Sequence, residues 1–371
     1  MSLAVAVSQT QSPEECAREL RASVGALDPS LVVFFASPSF DAERLGAALA
    51  REFGNVPSIG CSTAGEITSG RMLKNSVVLM ALDRGTVEEA HVRTLDGNLD
   101  PAFEVGRVAD ALARDVGRPF ARLSPERYVG LVLHDGVNTA EERVMDRLCQ
   151  LTNVPFVGGS AGDGLNFKST LVYENFRPRP GQTAVCLLRP ARPYAILKTQ
   201  SFAVLDRTLT ATEVDVARRT VKRFNGRPAA AEYAAQLGVP LADAPKHFLA
   251  HPVGVVVGDN EPFVRAPARF EGDDMVFYCQ IAQGVTTHLL ESKPDIVEQT
   301  RADLAAALAK FGPCSGIIDF DCVLRMLTIE SLKVSDAYGR VFQSVPTAGF
   351  STYGESYIGH INQTATMLLL G

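Results

Sequence analysis

One short device occurs three times in this chain: VPSIGCSTAGEI from Val56, VPFVGGSAGD from Val154 and VPTAGFSTYGE from Val345. The spacings lie near one and two multiples of about 95 residues, the mark of an internal repeat. The copies share Gly60, Gly158 and Gly349, then Ser62, Ser160 and Ser351, then Gly65, Gly162 and Gly354, then an acid at Glu66, Asp163 and Glu355. The second copy is one residue shorter between its serine and its acid. Cysteine is not shared: where Cys61 stands, the others hold Gly159 and Phe350, so the repeating geometry does not depend on a thiol.

What precedes each copy repeats as well. Apolar strand candidates come first, LVVFFAS from Leu31, YVGLVLHD from Tyr128 and SGIIDFD from Ser315, and in two copies an amphipathic stretch follows, 41–53 and 139–151. Further upstream lie helix candidates that open on proline, where a missing N–H costs little: 13–24, 101–116 and 294–311. Ser12 and Asp100 are their expected N-caps. Other stretches such as SVVLMALD, TAVCLLR and TLTATEVDV read as strands of antiparallel meanders. The pattern predicts an α/β fold of repeated strand-helix-strand units with added β meanders. The interval 205–290 carries a short helix, 228–237, and hairpin-like strands in place of a further VPxxG. A boundary there gives expected domains of 1–210 and 211–371.

With 371 residues, 46% of them hydrophobic, the chain can bury a large core. A net charge of −6 supplies no broad basic field for nucleic acid. The N-terminus lacks a basic segment leading into an apolar signal core, and no apolar run approaches the roughly 20 residues of a spanning helix, so the expectation is a cytoplasmic protein. Seven cysteines without a CxxC are expected to be reduced and buried.

Glycine-rich turns at strand ends have two compatible readings. They can be structural, with glycine giving unusual dihedrals or close backbone approach and serine satisfying turn amides, or they can converge on a ligand, as strand ends do in α/β sheets. A nucleophile elbow needs GxSxG, and two copies here read GxSxxG. Cys61, or an acid pair of Glu66 and Asp163, would be the centre of an enzymatic alternative; a third alternative is an interaction scaffold whose pocket is filled by Phe350 and Tyr353. No GxxxxGK[ST] and no strand-coupled GxGxxG is present, so nucleotides have no recognisable cradle. The His247–His251 spacing puts two imidazoles on one face, but Pro252 follows and no third ligand is near in sequence. His134 and His360 stand at strand ends and are the better-placed histidines.

These stretches resemble a known family. IGCSTAGEI, HDGVNTAEE and VGGSAGDGLNFKSTLVYEN resemble the FIST N-terminal domain; FNGRPAAAEYAAQLG, FDCVLRML and VPTAGFSTYGESYIGHINQTATMLLL resemble the FIST C-terminal domain, so the fold is expected to comprise two FIST halves. The resemblance implies a non-enzymatic, small-ligand-binding sensor in signal transduction, partnered with a histidine kinase or other signalling protein on a separate chain, with self-association left open. The tail is most similar to stand-alone FIST proteins that sense nitric oxide through haem. That likeness implies haem b as cofactor with His360 on the iron, and Ser62, Asp163, Tyr353 and Glu355 as polar contributors to the pocket. An amino acid or other polar metabolite is the alternative ligand.

Overall fold

The computed structural model describes residues 2–96, 99–257 and 261–371. The first repeat runs β1 (Leu3–Ser8), α1 (Pro13–Val24), β2 (Leu31–Ala36), α2 (Ala42–Phe53), β3 (Ser58–Ser62), the hairpin of β4 (Glu66–Thr68) and β5 (Arg71–Leu73), and β6 (Val77–Leu82). The second repeats this order as β7 (Val87–Asp96), α3 (Pro101–Val116), β8 (Val129–His134), α4 (Glu141–Leu151), β9 (Phe156–Ser160), the hairpin of β10 (Leu171–Glu174) and β11 (Arg177–Pro180), and β12 (Gln182–Pro190). Ser12 and Asp100 cap α1 and α3 as expected, their side chains accepting from the N–H groups of Glu15 and Ala102.

The third repeat opens with β13 (Tyr194–Thr199) and is then interrupted. The interruption holds β14 (Phe202–Asp215), β15 (Thr220–Phe224), β16 (Arg227–Pro228), α5 (Ala229–Leu237), β17 (Val253–Val257), β18 (Glu261–Arg265), β19 (Pro267–Glu271), β20 (Asp274–Phe277) and β21 (Thr286–Ser292). The repeat resumes through α6 (Ile296–Phe311), β22 (Gly316–Cys322), α7 (Val323–Ser331), α8 (Ser335–Gly339), β23 (Thr347–Thr352), β24 (Glu355–Tyr357), β25 (His360–Ile361) and β26 (Ala365–Leu370). The interval 205–290 is therefore an insertion inside the third repeat and not the site of a lost fourth copy. Two compact units result. One takes the chain up to Lys198 with Arg301–Gly359 and Ala365–Gly371; the other takes Thr199–Thr300 with His360–Thr364.

Within the first unit the sheets share one design. Their orders are β1-β6-β2-β3-β10-β11, β7-β12-β8-β9-β24 and β13-β26-β22-β23-β4-β5. In each, the central pair (β2 with β3, β8 with β9, β22 with β23) is parallel, and the strand added beyond it comes from another repeat. β4 of the first repeat joins the third sheet, β24 of the third joins the second, and β10 of the second joins the first. The exchange is cyclic, so no repeat completes its sheet alone.

Side-chain alternation along the parallel strands builds the core. Leu31, Val33 and Phe35 of β2, Leu131 and Leu133 of β8, and Ile318 and Phe320 of β22 turn to one shared apolar cluster. Phe35 stacks on Phe350 at 4.6 Å between ring centroids and meets Phe320 edge-on. The opposite faces meet the helices: Val32 and Phe34 pack with Leu20, Leu45 and Leu49, and Val132 with Val108, Leu112 and Val144. Each fully buried side chain of this size contributes about 1.5–3 kcal/mol.

The repeated glycines answer the turn question. Gly60, Gly158 and Gly349 lie opposite Phe34, Val132 and Asp319 on the paired strand, and a Cβ there would stand 2.5, 1.7 and 2.6 Å from that residue's carbonyl oxygen. Close strand approach, and not an unusual dihedral, requires glycine at these positions.

The second unit is a sheet in the order β18-β17-β21-β14-β15-β20-β19, with β16 paired to β15. Its core gathers Leu209, Phe224, Tyr233, Phe277 and Leu289. Among the described residues no helix is long and apolar enough to cross a membrane.

Candidate functional site

The three glycine-bearing bends meet, and they do so by hydrogen-bonding to one another. Ala64 N–H donates to Ser351 O and Ser351 N–H to Gly65 O, tying the first bend to the third; Ser160 N–H donates to Gly354 O and Tyr353 N–H to Ser160 O, tying the third to the second; Gly162 N–H donates to Ser62 O and Gly164 N–H to Thr63 O, tying the second to the first. These bonds bring the bends into direct backbone contact, and the cavity found there lies beside the first bend, walled on one side by the second bend's loop.

That cavity, of about 400 Å³, is lined by the loop after β2 (Ser37, Pro38, Ser39), the first bend (Thr63 to Glu66), the turn after β5 (Lys74, Asn75) and the second bend's loop (Asp163 to Asn166). It lies at the carboxyl ends of β2 and β3, where α/β sheets place ligands. Its asymmetry has a traceable cause. β4 and β24 start at their acids, Glu66 and Glu355, which pair with Phe350 and Gly159; the matching pair on β3 is Cys61 with Val172. The register thus puts Val172 where the other repeats carry a buried glutamate. Asp163 belongs to additional chain before β10, and this extra loop forms one wall of the cavity.

Glu66 is the principal polar group. It is 1% exposed. Thr63 Oγ1 donates to its Oε1, and Ser76 donates to its Oε2 through N–H at 3.1 Å and Oγ at 2.6 Å. Burial pushes its pKa up to about 7, with the bonds from Ser76 and Thr63 working against the rise. Sequence reading placed it in the repeat and assigned it only to the enzymatic alternative; the second threonine-glutamate pair, Thr352 Oγ1 to Glu355 Oε1 at 2.5 Å, shows the shared T-x-x-E spacing that could have singled it out. Lys74 stands at the exposed mouth, its Nζ 2.6 Å from Glu330 Oε1. The cavity therefore offers a carboxyl inside and an ammonium at its rim.

Other anticipated contributors are placed differently. Ser62 Oγ accepts from Leu171 N–H at 3.1 Å and holds β10 against β3. Asp163 accepts from the N–H groups of Phe167, Lys168 and Ser169 at 2.8–3.0 Å and from Tyr353 OH. Burial raises its pKa, but these donors outweigh burial and hold the carboxyl below its ordinary value. Tyr353 OH in turn accepts from Asp163 and Leu165 N–H, and its ring stacks on Phe167 at 4.4 Å. Asp163 and Tyr353 thus shape the loop wall. Glu355 is fully buried and bonded to Thr352. His134 is fixed between Thr183 Oγ1 and Ser356 Oγ, at 3.2 and 3.0 Å.

His360 is 2% exposed and belongs with Ile361 to Thr364, none more than 2% exposed, to the second compact unit. A haem iron needs an open face beside the ligating nitrogen, and the burial of His360 and its neighbours presents no exposed one. Among the described residues no group of three or more His, Cys, Asp or Glu is arranged to hold a metal.

Cys61 is fully buried, and burial followed by the nearby Glu66 charge raises its thiol well above the usual value. A nucleophilic role would need the opposite shift. Iodoacetamide is expected to label the exposed Cys149 in the native protein and to leave Cys61 unmodified until the chain is unfolded; peptide mass spectrometry reads both, and rapid native labelling of Cys61 would contradict this packing.

The strand-end cavity thus holds a buried carboxyl and, at its rim, an ammonium paired with Glu330. The chain belongs to the FIST family: the FIST N domain matches residues 30–227 and the FIST C domain residues 229–357. FIST domains are small-ligand sensors in signal transduction, sensory modules in place of catalytic ones. No curated protein matches the chain significantly.

Proposed function

We propose that this protein is a sensor whose ligand, a small zwitterionic metabolite of the amino-acid class, occupies the cavity beside the first bend. The observation that carries the reading is Glu66: a glutamate 1% exposed, bonded on both oxygens, yet lining a cavity whose rim holds Lys74. A ligand ammonium would approach Glu66, and a ligand carboxylate would approach Lys74. Occupancy would hold the Gly164–Asn166 wall in one arrangement, and a histidine kinase on a separate chain would bind that arrangement preferentially. Haem with nitric oxide as effector finds no support at His360.

The test is a thermal-shift and calorimetric screen of the amino acids against the full-length protein, with haemin as a separate spectroscopic arm. At least one amino acid is expected to bind stoichiometrically, with affinity reduced at least about tenfold in Glu66→Gln, a loss of about 1.4 kcal/mol. Binding unaffected by Glu66→Gln and by Lys74→Ala would overturn the site, and a stoichiometric Soret band that survives in Glu66→Gln would return haem as the ligand.

A further inference from the structure

The helix-facing side of the third parallel pair departs from its counterparts. Phe34 of β2 and Val132 of β8 occupy one equivalent position, each opposite a repeated glycine and each in an apolar layer against helices. At the third such position stands Asp319, opposite Gly349 and fully buried. Neither of its carboxyl oxygens has a hydrogen-bond partner in the protein. Two residues on, with its side chain on the same face, Asp321 is committed elsewhere: Arg325 Nε donates to its Oδ1 at 2.9 Å, Tyr338 OH donates to its Oδ2, and Arg325 Nη2 reaches Tyr338 OH at 3.1 Å. Across the strands from Asp321 lies Ser351, 1% exposed, whose hydroxyl is likewise without a partner.

A buried polar group without a partner costs about 1–3 kcal/mol, and more if it is charged. Burial, and then the neighbouring Asp321 charge, push the Asp319 carboxyl well above its usual value, and ionising it within the chain carries that cost in full. The ionised form has two bare acceptors. Water would fill bonds without supplying the charge that an ionised Asp319 lacks, since Asp321 and Glu355 oppose its ionisation and Arg325, which favours it, is already bonded to Asp321. A compact cation with several N–H donors supplies both, and it leaves the neutral Asp321–Arg325 pair undisturbed.

We infer that Asp319 and Ser351 form a second, internal site that binds an ammonium-type cation, either ammonium itself or the head of a short primary amine. The site is distinct from the Glu66 cavity and does not depend on what that cavity holds.

The probes are ammonium and methylammonium chloride, compared with sodium, potassium and tetramethylammonium chloride at equal ionic strength, by thermal shift on the full-length protein. The expected result is a saturable rise in melting temperature with ammonium and methylammonium only, lost in Asp319→Asn and reduced in Ser351→Ala. Asparagine is close to isosteric; should that variant fail to fold, Ser351→Ala carries the comparison. Equal shifts in all five salts, or an ammonium-specific shift that persists in both variants, would overturn the inference, as would a high-resolution structure in ammonium showing water alone against Asp319. Every arm is run in the Glu66→Gln background, so that ammonium drawn to the Glu66 carboxyl contributes nothing and the response read is that of Asp319 and Ser351.

Discussion

Replacing Glu66 by glutamine is expected to stabilise the protein above pH 7 and to remove most of the fall in stability expected of the native protein between pH 4.5 and 7. The ordinary carboxyl value is 4.5 and the folded value is about 7. Because the folded form holds its proton more tightly, the contribution of Glu66 is fully present below pH 4.5 and is lost as pH rises through 7. The interval corresponds to about 3 kcal/mol. Glutamine presents one carbonyl where the carboxylate presents two oxygens to Thr63 and Ser76, a loss of about 1 kcal/mol, which leaves a net gain of about 2 kcal/mol. Urea midpoints across a pH series for both proteins read it directly. Parallel curves would mean that Glu66 does not sit in the dry environment its burial describes.

Gly158→Ala is expected to be among the most damaging single methyl additions in the chain. The new Cβ would stand 1.7 Å from Val132 O and 2.7 Å from Val132 C, and both are backbone atoms of the paired strand, so no side chain can rotate aside. Inserting an extra methyl into a well-packed core costs about 1–3 kcal/mol; separating β8 from β9 would exceed that and would also pull β24 away, since Gly158 pairs with Ser356. A loss of at least about 3 kcal/mol or a failure to accumulate as folded protein is expected. Gly106→Ala in α3 is the control: nothing lies within 4 Å of the added methyl, and removing a mid-helix glycine should stabilise by about 0.5–1 kcal/mol. Calorimetric unfolding of the two variants should therefore move in opposite directions. A mild Gly158→Ala would contradict the strand approach that explains the repeated glycines.

The repeat itself was readable because glycine, serine and acid recur at fixed offsets, and the strands and helices around two copies followed from period-2 and period-3.6 patterning. The helix expected to open on Pro294 begins two residues later, with α6 running Ile296–Phe311. The cyclic exchange of β4, β10 and β24 was not readable, since local pattern says that a segment is a strand and nothing of which sheet it joins. The same limit misaligned the second acid. Sequence offsets match Asp163 to Glu66, whereas pairing with Cys61 matches Val172, because the extra residues lie before β10 and not inside it. Ser62 was read as satisfying turn amides and as a ligand contact; it ends β3, and its hydroxyl accepts from the N–H of Leu171, the first residue of β10. Asp319 stood in an apolar run, SGIIDFD, and gave a signal only once the register set it beside Phe34 and Val132.

The account rests on a ligand touching a buried glutamate beside the first bend. The most direct measurement is the carbon-13 titration of the Glu66 carboxyl, assigned by its absence in Glu66→Gln, with and without the amino acid that most raises the melting temperature. The account predicts a midpoint near 7 in the free protein that falls when the ligand ammonium arrives. A midpoint at the ordinary carboxyl value, or one that saturating ligand leaves unmoved, would contradict it.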